Sequence, residues 1–320
     1  MMPSPYEETT RLHAPTQPWD KGYLVREGHE IYYEQIGIED GTPVIFLHGG
    51  PGAGCSTAHR RLFDPLKYRA LLFDQRGCGR SRPYASIKDN STDKLVEDIE
   101  ALRLHLGLGK VILFGGSWGS TLALCYGLKY PENVAGFVLR GIFLGTQAEI
   151  DWFLYDMGRF FPEAHQAFVN YLPKAEQGDI LKAYLSRLTG LSSSDAIMAA
   201  KQWASYENSC ATLAAQKRGA GEGAIAIALI EAHYFAYNCF MEDGYILDNL
   251  HKISHLPSVI VNGRHDVICP PFTAHALHHK WGAKSTLHLI DDAGHSAFES
   301  GMLPALLNGL DQVSQRASSR

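Results

Sequence analysis

A five-residue turn constrains this chain more than any other feature. The apolar run Val111-Ile112-Leu113-Phe114 meets Gly115-Gly116-Ser117-Trp118-Gly119, and the chain then becomes Leu/Ala-rich through Leu124. The run predicts a short buried strand and the segment after it a helix. A Gly-x-Ser-x-Gly turn between strand and helix holds its serine on a tight, strained bend, where side chains at the glycine positions would clash. The bend lifts the hydroxyl above the end of a sheet, at a helix N-terminus. The pattern alone arises by chance, so its meaning depends on what the other strands carry.

Further runs with strand character are Glu30–Ile36, Pro43–His48, Ala70–Asp74, Val134–Arg140, Ser258–Asn262 and Thr286–Ile290. Most are short, rich in Val, Ile, Leu and Phe, and bounded by Gly, Pro or Asp. Ser91–Leu106 reads as a helix, with apolar residues at Leu95, Ile99, Leu102 and Leu106. Near-continuous apolar strands alternating with helices imply an α/β fold, its central sheet mostly parallel and covered by helices on both faces. From Gly145 to Leu250 the periodicity is helical and no strand signal interrupts it. A connection of roughly a hundred residues is no simple loop. The expected organisation is a core of residues 1–144, an inserted all-helical cap of 145–250 and a second core part of 251–320. The last ten residues, DQVSQRASSR, are expected to fray.

Charge and cysteine usage exclude several classes. The formal net charge is −5 and no basic cluster stands out, which argues against nucleic-acid binding. The six cysteines are scattered with no CxxC pair, as in a protein of a reducing compartment. The first 22 residues are polar, and the longest aliphatic run, Ala224–Ile230, is too short to span a bilayer. The expectation is a cytoplasmic protein with no membrane association. His275, His278 and His279 recur at helical spacing but lack an acidic third ligand, so they read as a helix face and not a metal site. GGPGAG and RGCGRS lack the Lys-Ser/Thr of a phosphate loop and the full dinucleotide fingerprint. Neither metal nor cofactor is expected.

Ligand sites in such sheets gather at the carboxyl ends of the strands. There the chain places His48-Gly49-Gly50-Pro51-Gly52, Asp74–Ser81, the Ser117 turn, Gly263-Arg264-His265-Asp266 and Asp291-Asp292-Ala293-Gly294-His295. A serine hydroxyl is a weak nucleophile until a base takes its proton. His295 is the candidate base and Asp266 the carboxylate that orients it, in the chain order Ser, acid, His that this architecture demands. The candidate oxyanion donors are the backbone N–H groups of Trp118 and Gly50. Arg76 and Arg80 read as loop anchors.

Six motifs carry a family resemblance: HGGPG (48–52), DQRGCGRS (74–81), GGSWGSTLAL (115–124), LRGIFL (139–144), NGRHD (262–266) and AGHS (293–296). Together, over about Tyr32 to Phe298, the chain resembles the proline iminopeptidases of the α/β-hydrolase superfamily. The resemblance implies metal-free release of N-terminal proline from small peptides through an acyl-enzyme, with the catalytic residues on Ser117, Asp266 and His295. It also implies that Glu207 and Glu231 hold the substrate's free amino group. A pyrrolidine pocket would be lined by Trp118, Phe143, Trp152, Phe153, Phe235 and Cys269. Where the family usually has a second tryptophan before the first glutamate, this chain has Tyr206. Read from the residues alone, both glutamates are ordinary exposed helix residues and the aromatics are core. Cys269 either lines the site or is a buried inert thiol. The rival readings are an esterase, amidase or broader aminopeptidase of the same fold, and a non-catalytic receptor.

Overall fold

The computed structural model describes residues 12–190, 192–213, 221 and 223–318. Residues 1–11 of the polar N-terminal stretch, and the last two of the final ten, lie outside them. Eight strands form one sheet: β1 (Asp20–Arg26), β2 (His29–Gly37), β3 (Thr42–Leu47), β4 (Tyr68–Phe73), β5 (Val111–Ser117), β6 (Val134–Ile142), β7 (Ser258–Gly263) and β8 (Ser285–Ile290). Their spatial order is β1-β2-β4-β3-β5-β6-β7-β8. The β1–β2 and β2–β4 pairs are antiparallel, and every pair from β4 to β8 is parallel. β3 lies between β4 and β5, so the strand order reverses beside it. The loops after β3 and β5 therefore diverge and leave a crevice between them, where such folds bind ligands.

β1 is a strand that the sequence reading did not anticipate. It pairs with β2 through the turn Glu27-Gly28, both with positive φ, as a two-residue hairpin turn requires. Its residues alternate between half-buried and exposed, as an edge strand's do, so it lacks the continuous apolar run of the inner strands.

Strand side chains alternate between two cores. Ile45, Leu47, Leu71, Phe73 and Leu113 pack with α2 (Thr92–His105) and α3 (Trp118–Lys129) on one face. Val44, Phe46, Leu72, Ile112 and Phe114 pack on the other with the C-terminal helix. That helix runs Met302–Ser318 and corrects the expectation of a frayed tail. Its Leu306, Leu310 and Val313 recur at helical spacing and are almost fully buried, which holds its polar end in register.

The loop after β4 is anchored by charge, as Arg76 and Arg80 suggested. Arg76 forks onto Asp98 of α2 at 2.6 and 2.7 Å. Arg80 reaches Asp74 at 2.7 Å and Glu34 at 3.0 Å. Between β6 and β7 the described residues contain helices and irregular segments only. The longest helices there are Ser193–Cys210 and Ala224–Ala236. Pro271–Trp281 carries His275 and His279 on its exposed side and His278 half-buried. Among the described residues no single helix is long and apolar enough to cross a membrane.

Candidate active site

β5 ends on Ser117 and α3 begins on the next residue. Ser117 adopts φ 57°, ψ −129°, a conformation that costs a non-glycine residue about 1–3 kcal/mol. Backbone packing on both sides holds it there. A Cβ at Gly115 would lie 2.1 Å from the Gly119 carbonyl oxygen, and one at Gly119 would lie 2.0 Å from that of Leu47. The two motif glycines thus let β3, β5 and α3 meet backbone to backbone. Ser120 Oγ donates to the Ser117 carbonyl at 2.7 Å and accepts from Phe143 N at 3.3 Å, which ties the end of β6 to the turn.

The loop after β3 is locked to the same turn. The Trp118 indole N–H donates to Gln75 Oε1 at 2.9 Å. Gln75 in turn donates from its side chain to the His48 carbonyl and from its backbone to His48 Nε2, both at 3.0 Å. Burial pushes the His48 pKa below the usual imidazole range, which suits a neutral ring accepting at Nε2. Gly50 lies on the cavity that contains Ser117. The Trp118 N–H, in the first turn of α3, is one of the donors that a helix start leaves without an intrahelical partner.

Asp266 and His295 come from the loops after β7 and β8. His295 Nδ1 lies 2.8 Å from Asp266 Oδ2. Asp266 Oδ1 accepts from the backbone of Ile268 at 3.0 Å and Cys269 at 2.8 Å. Both side chains are buried, and Arg140 Nη1 holds the His295 carbonyl at 2.8 Å. Ser117 and Cys269 line one cavity, and burial drives the Cys269 thiol pKa well above the ordinary thiol range. Asp266 thus joins His295 to Cys269, which shares its cavity with Ser117.

The Ser117 cavity is lined by Gly50, Phe143, Phe153, Phe235 and Cys269, by Ile268, and by three carboxylates: Glu149, Glu207 and Glu231. Its volume is about 20 Å³. Phe153 and Phe235 meet edge to face at 5.5 Å. The two helical glutamates come from separate helices, Ser193–Cys210 and Ala224–Ala236. Burial raises the Glu207 pKa to about 7. Burial, then the charge of Glu207, raises the Glu231 pKa well above the carboxylate range, against a 2.5 Å hydrogen bond from the Trp203 indole N–H. Two carboxylates withdrawn from water in one pocket do not both ionise cheaply. Tyr206, in place of the expected tryptophan, is buried and donates to the Phe153 carbonyl at 3.0 Å.

Two expected wall residues lie elsewhere. Trp152 donates its indole N–H to the Val267 carbonyl at 2.7 Å and lines the neighbouring grooves, not the Ser117 cavity. The hydrogen bond turns the ring away from Ser117. The Trp118 side chain is fully buried as the wedge between the turn and Gln75, so only its backbone faces the site. The sequence reading missed Glu149, whose carboxylate accepts from Leu144 N, Thr146 N and Thr146 Oγ1. Burial raises its pKa too, opposed by these donors. A signal for it existed, because Thr146-Gln147-Ala148-Glu149 has capping-box spacing. Asn262 was also missed; its side chain bridges Ile142 N and the Cys269 carbonyl. Gly141, with φ +54°, clears space for the His295 ring: a Cβ there would lie 2.9 Å from His295 Cε1. Among the described residues no cluster of three or more His, Cys, Asp or Glu could hold a metal ion.

Comparison with known proteins places the chain in a family. The model of the alpha/beta hydrolase fold family matches residues 42–301. A protein of Leptolyngbya boryana named "Probable proline iminopeptidase" is 43% identical over 319 residues, covering 97% of this chain and 99% of its own. A proline iminopeptidase of Arabidopsis thaliana is 44% identical over 306 residues, covering 92% of this chain and 80% of its own. Among solved structures, a proline iminopeptidase-related protein of Thermus thermophilus superposes with a TM-score of 0.59 at 21% identity, covering 93% of this chain and 98% of its own. That likeness speaks for the fold alone. With relatives this similar along nearly its whole length, the chain belongs to the proline iminopeptidase family of α/β hydrolases.

Proposed function

We propose that this protein is a serine aminopeptidase that releases N-terminal proline from small peptides. The observation that carries the reading is that Glu207 and Glu231 line the same aromatic-walled cavity as Ser117. A hydrolase without amine selectivity has no use for two buried carboxylates beside its nucleophile, because each costs stability unless a cation pairs with it. The substrate's ammonium sits between these glutamates, and its pyrrolidine ring lies against Phe143, Phe153 and Phe235. Helices from Gln147 to Asn249 act as the cap that closes over it.

In the first half-reaction His295 Nε2 takes the Ser117 proton as Oγ attacks the prolyl carbonyl. Asp266 holds Nδ1–H and stabilises the imidazolium. The oxyanion is received by the N–H groups of Trp118 and Gly50, each such donor contributing about 3 kcal/mol to the transition state. The imidazolium protonates the leaving amine, and the C–N bond breaks to leave the prolyl ester of Ser117. Water, deprotonated by His295, then releases proline. The Cys269 thiol, held protonated by burial, lines the pocket without competing as nucleophile.

The test is turnover of prolyl-arylamide beside alanyl-arylamide, N-acetyl-prolyl-arylamide and a short-chain aryl ester. Strong preference for the free prolyl substrate, lost on acetylation, is expected. Ester turnover without prolyl-arylamide turnover would reassign the site to an esterase. Ser117→Ala should abolish turnover while leaving Tm within a few degrees, and near wild-type activity would remove the nucleophile assignment.

A further inference from the structure

Behind the Ser117 turn, on the face packed by the C-terminal helix, lies a second cavity of about 50 Å³. Its lining does not overlap that of the Ser117 cavity. Phe46, Leu47, Leu62, Phe114 and Leu306 form buried hydrocarbon walls. The polar side chains on it are Arg140, from β6, and His59, from the helical turn Thr57–Arg60. Nothing in the proposed peptidase reaction uses this space.

Arg140 makes no salt bridge among the described residues. Nη1 donates to the His295 carbonyl, while Nε is buried with no hydrogen-bond partner among the described residues. Asp266 and Glu299 act on the guanidinium only at longer range, and burial depresses its pKa. The fully buried guanidinium of Arg76 contrasts with it: that one is forked onto a carboxylate. Gly116 makes room for Arg140, since a Cβ there would fall 2.5 Å from Nη2. His59 stands between Phe46 and Phe298, with ring centroids 4.7 and 6.0 Å away. Its Nδ1 accepts from Ser56 N at 3.0 Å. Burial, then the neighbouring His48 and Arg140, lower its pKa to about 4. The neutral ring consequently carries its proton on Nε2, as a donor. A cation and an N–H donor thus share one small apolar-walled space.

We propose that this cavity is a binding site for a small monovalent anion, a halide, held by the Arg140 guanidinium and the His59 imidazole. A buried cation without a counter-charge is costly, and an anion beside it removes that cost. The space suits one monatomic ion or a water or two. It is too small and too poor in donors for a phosphate or other polyvalent ion. Because Arg140 also grips the His295 carbonyl, halide occupancy fixes the charge and position of the group that braces the histidine loop.

The experiment is thermal unfolding of the full chain while sodium gluconate, too large to enter, is replaced by sodium bromide or chloride at constant ionic strength. A saturable rise of about 2–4 °C in Tm is expected at ten times the dissociation constant. Arg140→Gln should abolish the dependence, and His59→Phe should weaken halide affinity several-fold. A bromide-soaked crystal should show one anomalous peak between Arg140 and His59. The proposal fails if wild-type Tm is the same in gluconate and halide, if Arg140→Gln shows the same halide rise, or if the peak is absent. Should Arg140→Gln not fold, the wild-type titration, the His59→Phe variant and the bromide map still decide.

Discussion

Replacing Glu207 tests the amine-anchor reading most directly. Burial raises this carboxyl from 4.5 to about 7. That makes its ionisation costlier by about 3 kcal/mol, and burial raises Glu231 beside it as well. A substrate ammonium must therefore displace a proton from the pair. Below about pH 7 that displacement becomes harder by up to tenfold per pH unit. The assay is kcat/KM for prolyl-arylamide divided by kcat/KM for an aryl ester without an amine, followed from about pH 5.5 to 7. The division cancels what the Ser117–His295 chemistry contributes, because both substrates need it. The wild-type ratio should rise steeply across this range. Glu207→Gln should lower it at neutral pH by about 10²–10³-fold, the scale of removing one partner from a buried charge pair. The double variant Glu207→Gln/Glu231→Gln should show no slope. A flat wild-type ratio, or an undiminished slope in the double variant, would refute the reasoning. Stability gives an independent check. The folded value lies above the unfolded one, so the native state binds the extra proton. The resulting stability is complete below about pH 4.5 and is lost as pH rises through about 7. Glu207→Gln should flatten the fall of Tm between about pH 5 and 8.

Gly141→Ala should lower kcat about 10²-fold with little change in KM, because the added Cβ presses on His295 Cε1 while the amine end is untouched; unchanged kcat would show that the ring tolerates displacement. Iodoacetamide at pH 7 should leave activity intact for hours, because Cys269 is buried and its thiol holds its proton; rapid inactivation that Cys269→Ser prevents would show the thiol is reachable. Arg76→Ala leaves the buried Asp98 with only its 3.4 Å contact to Arg26 and should cost about 3 kcal/mol, read as a lower denaturation midpoint at unchanged slope; a loss under about 1 kcal/mol would contradict the anchoring role.

The parts of the molecule that were legible in the sequence are those governed by local rules. The six parallel strands from β3 to β8 announced themselves as apolar runs, because burial on both faces demands it. Ser117, Asp266 and His295 were legible because each follows such a run, and a parallel sheet brings those ends to one edge. β1 was not legible, because an edge strand keeps one face in water and its alternation is easily read as loop. The buried C-terminal helix was hidden by its polar last turn. Trp152 and Trp118 had the right chemistry for a pocket wall, but a hydrogen bond to Val267 and one to Gln75 settled where their rings point.

By itself the sequence determined the class of fold, the chain order of the candidate nucleophile, acid and base, and the two glycines that the turn around Ser117 requires. These follow from residue type, period and spacing, which act over a few residues. Only the tertiary structure decided that Glu207 and Glu231 share one cavity, that Glu149 joins them, and that Arg140 lies behind the turn with no salt bridge among the described residues. Those facts depend on which helix faces pack together and on how much water they exclude. Burial and its effect on charge are properties of the assembled fold, and no local window of residues contains them.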